Sequence, residues 1–326
     1  MSDSGGLRRP CLSVVIVLYN SAAELVGCLR SIRPAIESGW GEAILVDNAS
    51  PDDSVTVATR ELPQARVLTR NENRGFAAGV NAALPACSGR YVLLLNPDVL
   101  VPESGLQELA AWMDAHPELV AASPELIDSD GTWGTPGRAL PTIWRLVLRT
   151  SRLHRLLPRR VAGSTLRGSF WPGGDQLGVD WVPATAMIVR ADAIREAGPL
   201  REDLFLYGED VEWCWRIRGN TGSRIGVCAR VRFVHRASAS TTRTWGQAER
   251  ERMIDSGMDR ACRIIYGERH ARALAWATAL SLAVDAAALW RPAVKRSVSR
   301  AAARRWLAIA RSYGSTGSRG GAQSRA

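Results

Sequence analysis

The sequence predicts an α/β fold: a single, mostly parallel, Rossmann-like sheet flanked by helices, with a C-terminal helical appendage. Three observations predict it. Short, predominantly apolar runs at residues 12–18, 43–46 and 91–95 are bounded by turn residues, and runs of that kind and length are strands buried on both faces, as in parallel sheets. Between them lie stretches with apolar residues at helical spacing, which gives strand–helix–strand order. At 326 residues the chain is long enough for one large domain and an appendage.

The first strand, residues 12–18, ends at Tyr19-Asn20-Ser21. Ser21 stands where a helix cap is needed, and Glu24 three residues on completes a capping box. Leu25, Cys28, Leu29 and Ile32 continue that helix, and Arg33-Pro34 is expected to end it. The second strand, 43–46, releases Asp47, and a carboxylate there in a β-α-β unit suits the ribose or base of a nucleotide. No G-x-G-x-x-G follows the first strand and no G-x-x-x-x-G-K-[ST] occurs anywhere, which disfavours a dinucleotide domain and a P-loop ATPase. A third strand, 65–68, leads through the polar loop 70–76 into a helix over 77–84 that carries Asn81. Gly75 ahead of that helix either offers backbone donors to a phosphate or sugar, or makes a plain turn and cap. The strand 91–95 delivers Asp98 into the crevice where open α/β sheets bind ligands, on a turn stiffened by Pro97.

A helix over 105–114 and a strand at 120–122 follow. Residues 181–189 read as a strand entered through a turn, and 190–196 as a short helix ended by Gly198-Pro199. A helix beginning near Gly208 carries Glu209, Asp210 and Glu212 in its first turn, with Asp210 three residues from Trp213. An indole face there either floors a sugar pocket or packs in the core. Segments 225–228 and 231–234 read as two strands near the sheet edge, the second ending at His235.

The chain holds 42 basic and 32 acidic residues, a net charge of +10. Nine of the basic residues and no acidic one lie from Arg291 onward, and the block 138–167 carries Arg138, Arg145, Arg149 and further arginines with no carboxylate. Such blocks want an anionic partner. Six cysteines show neither C-x-x-C nor zinc spacing, so they read as core thiols of a reducing, cytoplasmic compartment. Without zinc spacing, an aromatic RNA-binding motif or a recognition helix, nucleic acid is not an expected partner.

Five pieces stand in a telling order: S-V-V-I-V-L-Y-N (13–20), L-V-D-N-A-S (45–50), N-x-N-R-G-F-A-A-G-V-N (71–81), L-L-N-P-D-V (94–99) and L-Y-G-E-D-V-E-W-C-W-R (206–216), closing with V-H (234–235). On them the chain resembles glycosyltransferase family 2, with a GT-A fold, and particularly its bacterial rhamnosyltransferase-like branch. The resemblance implies inverting transfer of a sugar from a nucleotide diphosphate, usually with Mg2+ or Mn2+. By it, Asp47 holds the donor base or ribose, and Tyr19, Asn20, Asn73, Arg74, Gly75, Asn81, Asn96 and Asp98 complete the donor site. Asn96 stands where the family's D-x-D has its first Asp, so the metal falls to Asp98 with His235. Asp210 corresponds to the catalytic base, next to Glu209, while Trp213 and Trp181 would meet the acceptor.

The expected organisation is a disordered N-terminus (1–10), a catalytic domain (11–240), a helical region able to lie on a membrane (241–311) and a disordered basic tail (312–326). Residues 270–290 are marginal for a spanning helix, which wants about 20 apolar residues, and they carry Asp285. An apolar helix beside a basic tail suits anionic lipid, so the protein is expected to sit peripherally on the inner face of the cell membrane. The acceptor is then a glycan or a polyprenyl-diphosphate-linked saccharide, with the block 138–167 closing over its diphosphate. dTDP-L-rhamnose is the first choice of donor, and a UDP-linked galactofuranosyl or hexosyl donor the alternative. A non-catalytic GT-A-like binding protein, prompted by Asn96, is the alternative of another class.

Overall fold

A computed structural model describes residues 10–128, 131, 133–134, 137–151, 156, 161, 166, 174–236, 239–287 and 293–313. Most of the termini expected to be disordered (1–10 and 312–326) and most of the basic block beyond residue 151 lie outside them, while Ser312 closes a helix.

Ten strands among the described residues form one sheet: β1 (Leu12–Leu18), β2 (Gly41–Asp47), β3 (Arg66–Thr69), β4 (Tyr91–Leu95), β5 (Val99–Leu100), β6 (Leu119–Ile127), β7 (Trp133–Gly134), β8 (Gln176–Val179), β9 (Ala186–Arg190) and β10 (Arg224–His235). Their order is β3-β2-β1-β4-β9-β6-β10-β5, with β7 on β6 and β8 on β10. β3, β2, β1 and β4 run parallel, β9 is antiparallel to both β4 and β6, and β10 returns parallel to β6.

The apolar runs bury on both faces, as expected. Val14, Ile16, Leu45, Leu93 and Leu95 face α1 (Ala22–Glu37), α2 (Ser54–Glu61) and α4 (Gly105–Ala115). Val15, Ile44, Val46, Val92 and Leu94 face α3 (Phe76–Ala83), α6 (Ala191–Ala197) and α7 (Glu209–Thr221). The remaining α-helices among the described residues are α5 (Ile143–Thr150), α8 (Ala239–Tyr266, broken at Gly246), α9 (Glu268–Ala287) and α10 (Ala293–Ser312).

Four local expectations are corrected. Ser21 precedes α1, but its hydroxyl donates to the Tyr19 carbonyl, and the Ala22 N–H donates to the Asp52 carboxylate instead. Pro34 does not end α1: the helix runs to Glu37 because Ala35 and Ile36 bury in the core and the Ser38 N–H still reaches the Pro34 carbonyl. The strand expected at 181–189 begins only at Ala186, and Trp181 makes an isolated bridge with Arg138. The two strands expected at 225–234 are one, with an irregular register between Cys228 and Arg232. Among the described residues no helix is long and apolar enough to cross a membrane.

Candidate active site

Parallel strands end together, so the residues just past β1, β2 and β4 meet at one edge of the sheet. There they line a cavity of about 440 Å³ with Tyr19, Asn48, Asn73, Gly75 and the segment from Asn96 to Asp98. Residues from later in the chain complete the lining: Asp128, Arg138, Trp181, the residues from Phe205 to Val211, and His235.

On one side the pairing of β5 with β10 sets His235 opposite Val99 and so brings its imidazole to Asp98. His235 Nε2 lies 3.4 Å from Asp98 Oδ1. Asp98 is buried and that oxygen has no hydrogen-bond partner. The Cys28 thiol lies behind, donating to the Asn96 carbonyl, and burial followed by the nearby Asp98 charge pushes it above the usual thiol range. An unpartnered carboxylate oxygen beside an imidazole, on a residue that lines the cavity, fits a hard divalent ion that draws its other ligands from a bound phosphate and water. Among the described residues no group of three or more His, Cys, Asp or Glu could hold a metal alone.

On the other side α7 opens with Glu209 and Asp210 after Gly208, which takes a left-handed φ of 91°. Asp210 accepts hydrogen bonds from the N–H groups of Val211 (2.8 Å) and Ala184 (3.3 Å). Burial raises the Asp210 carboxyl above its ordinary value, while those N–H groups and the Arg138 charge draw it back. Glu209 is pushed well above the usual carboxylate range, first by burial and then by Asp210. Its Oε2 is buried without a partner. The two neighbouring acids are therefore unequal, and Asp210 is the better placed to carry the charge.

Tyr19, Asn73, Gly75, Asn96, Asp98, Trp181, Glu209, Asp210 and His235 all line the cavity. Other expected residues do not. Trp213 is fully buried and its indole N–H donates to the Gly198 carbonyl, so it packs in the core and floors no acceptor pocket. Asn81 spends its amide on Leu200, donating to the carbonyl and accepting from the N–H at 2.9 Å each, because its side of α3 meets that loop rather than the cavity. Arg74 lies 3.6 Å from Glu202 on the same loop. Asp47 is buried, accepts from the Ser50 N–H and leaves the lining to Asn48. Asn20 donates to Thr244, tying the end of β1 to α8.

The sequence reading missed Asn48, Asp128 and, from α8, Trp245, Arg250, Ile254 and Met258, while Arg138 opens the basic block it expected near a diphosphate. Trp245 stacks on Tyr19 with centroids 5.8 Å apart, and Arg250 donates to the Tyr207 hydroxyl at 3.1 Å. The cavity thus draws on residues beyond the expected domain boundary at 240. The Arg138 guanidinium lies 5.3 Å from the Trp181 ring centroid.

The sequence and the fold have counterparts elsewhere. The family model for glycosyl transferase family 2 matches residues 13–166. The chain is 26% identical to an N-acetylglucosaminyl-diphospho-decaprenol L-rhamnosyltransferase of Mycobacterium tuberculosis over 62% of this chain and 68% of that one. A low-salt glycan biosynthesis hexosyltransferase of Haloferax volcanii is 25% identical over 71% of this chain and 69% of its own. Among solved structures, a mannosyltransferase from Pyrobaculum calidifontis in complex with GDP-Man and Mn2+ shares the fold with a TM-score of 0.55 at 21% identity, covering 94% of this chain and 85% of that one.

Proposed function

Because the chain belongs to glycosyl transferase family 2 and has a GT-A fold, we propose that its cavity moves a sugar from a nucleoside diphosphate to an acceptor hydroxyl with inversion at the anomeric carbon. One observation carries this reading: Asp98 and Asp210, 112 positions apart, line the same cavity. Asp98 and His235 would hold a Mg2+ or Mn2+ ion, whose chemistry is to neutralise charge on the departing diphosphate. Asn48, Asn73 and the backbone at Gly75 receive the donor, with Tyr19 and Asn96 beside them. Asp210 takes the proton of the acceptor hydroxyl as that oxygen bonds to the anomeric carbon. The bond from that carbon to the diphosphate oxygen breaks, and its electron pair leaves with the nucleoside diphosphate. One carboxylate suffices for a single displacement, unlike the pair of a retaining glycosidase. Trp181, an apolar wall beside Asp210, meets the acceptor sugar.

The sugar is L-rhamnose from its dTDP derivative in the first reading and a hexose or galactofuranose from UDP in the second. The rhamnosyltransferase relative, named for a diphospho-decaprenol acceptor, favours the first and favours a lipid-linked saccharide as acceptor, at the cytoplasmic face of a membrane. Thermal shift against a panel of nucleotide sugars tests the donor, since ligands that bind the folded form raise its apparent stability. Transfer assays with and without EDTA test the metal. Stabilisation by a nucleotide sugar with neither transfer nor hydrolysis under any metal condition would favour the binding-protein reading prompted by Asn96.

A further inference from the structure

The outward side of α9 carries a burden the catalytic reading does not explain. Its inner side buries Ala271, Leu274, Ala275 and Ala279 against α5, α8 and α10. From residue 273 to 287 the exposed positions are Ala273, Trp276, Leu280, Ala283, Val284 and Ala287, without one polar side chain. Trp276, Leu280 and Val284 fall at i, i+4 and i+8 and so share one stripe. A helix on the surface of a water-soluble domain normally turns charged or polar residues outward there. Its neighbour α5 repeats the pattern. Leu146 packs inward with Cys262, Ala271 and Leu274, while Trp144 and Val147 stay more than half exposed. A hydrogen bond between Thr150 and Ser281 joins the two helices. Next to α9, α10 exposes Lys295, Arg300, Arg304 and Arg311 and contains no acidic residue.

We propose that this face, the outer sides of α5 and α9 edged by the cations of α10, is where the protein lies on an anionic lipid bilayer. Apolar side chains enter the interfacial region, tryptophans suit the boundary between apolar and wet layers, and the cations meet lipid phosphates. α9 is too polar on its packed side to span, with Asp285 and Ser281, and lies flat. Charge decides between occupants: a second copy would bring two chains of net charge +10 together, whereas an anionic surface attracts them. The face also sits close behind the cavity. Met258 lines the cavity and packs in the cluster that holds Leu146 and Leu274. The lipid-linked acceptor of the proposed function gives this face its purpose, but its evidence is independent of that reading.

Flotation of the full chain with vesicles of phosphatidylcholine, with and without phosphatidylglycerol, tests it. The wild type is expected to float with the anionic vesicles and less so as salt rises. Trp276→Ser and Leu280→Ser are expected to weaken binding about tenfold each, with an unchanged melting temperature and unchanged transfer to a water-soluble acceptor. No flotation of the wild type, or flotation undiminished in the double variant, overturns the surface. So does a wild-type dimer in solution that the same variants dissociate. Loss of flotation with transfer to the soluble acceptor intact separates failure of binding from failure of the catalytic reading, and inactivity of both proteins on that acceptor condemns the catalytic reading alone.

Discussion

The cavity has two walls built in different ways. The first is made of strand ends: Tyr19 after β1, Asn48 after β2, and Asn96 to Asp98 after β4. Each is presented by its own strand within a few residues, and the parallel sheet alone aligns them. The second wall gathers Arg138, Trp181, Tyr207, Glu209, Asp210, Trp245, Arg250 and Met258 from four separate stretches of chain. It is held by close crossings of backbone. A Cβ on Gly208 would lie 2.3 Å from the Gly257 carbonyl oxygen, and one on Gly257 would lie 2.2 Å from that of Tyr207. Tyr207 itself takes a left-handed φ of 68°, strained for a side chain of its size. A third crossing joins the walls: the Phe76 N–H donates to the Phe205 carbonyl, whose oxygen would lie 2.1 Å from a Cβ on Gly75. A wall of strand ends tolerates change outside its motif. A wall of crossings depends on residues that touch no ligand.

The largest effect should come from the second wall. Asp210→Asn is expected to lower the rate of transfer about a thousandfold while leaving donor affinity, measured by calorimetry, close to that of the wild type. Full turnover in that variant would remove the base from this wall. The next effect belongs to the first. Asp98→Ala should weaken donor binding in the presence of Mn2+ by roughly a hundredfold, and EDTA should then add little. Equal losses for wild type and variant on adding EDTA would mean that the ion sits elsewhere.

A smaller effect should test the crossings themselves. Gly257→Ala places a better helix former in α8, yet it is expected to cost about 1–3 kcal/mol, seen as a lower melting temperature together with lost transfer. Gly219→Ala is the control, because a Cβ there meets nothing within 4 Å and the change should be neutral or gain up to about 1 kcal/mol. If Gly257→Ala matched the control, the second wall would not depend on its crossings. The smallest effect is a slope. Burial lifts the Glu209 carboxyl in the folded chain, so between the unfolded value of about 4.3 and the raised one the folded state binds the extra proton. Stability contributed by that protonation is complete below the unfolded value and is lost as pH rises through the folded one. Denaturant midpoints measured across that range should fall with rising pH in the wild type and fall less steeply in Glu209→Gln, where Asp210 alone retains a raised value.

The first wall was legible almost entirely. Apolar runs between turn residues located β1, β2 and β4, and once strands of one parallel sheet are known, the residues just past their ends share an edge. Even there the register of single side chains escaped: Asp47 turns to Ser50 while Asn48 faces the cavity, and Asn81 braces Leu200. On the second wall the acidic pair at 209–210 was visible as the first turn of a helix, and Trp181 was named as well. Trp213 was misplaced because spacing along a helix says which residues share a face without saying what that face meets, and this one meets the Gly198 carbonyl in the core. Nothing in residues 245–258 announced a cavity, since Trp245, Arg250 and Met258 read as ordinary positions of a polar helix.

By itself the sequence determined the strands from β1 to β4, the two faces of the sheet there and the chemistry of the pieces, because periodicity and turn residues act over a few positions. Only the tertiary structure decided that α8 closes the cavity, that His235 reaches Asp98 through the pairing of β5 with β10, and that α9 presents a bare apolar side. Those outcomes depend on which distant segments pack against one another, and packing at that range is set by the shape of the whole core.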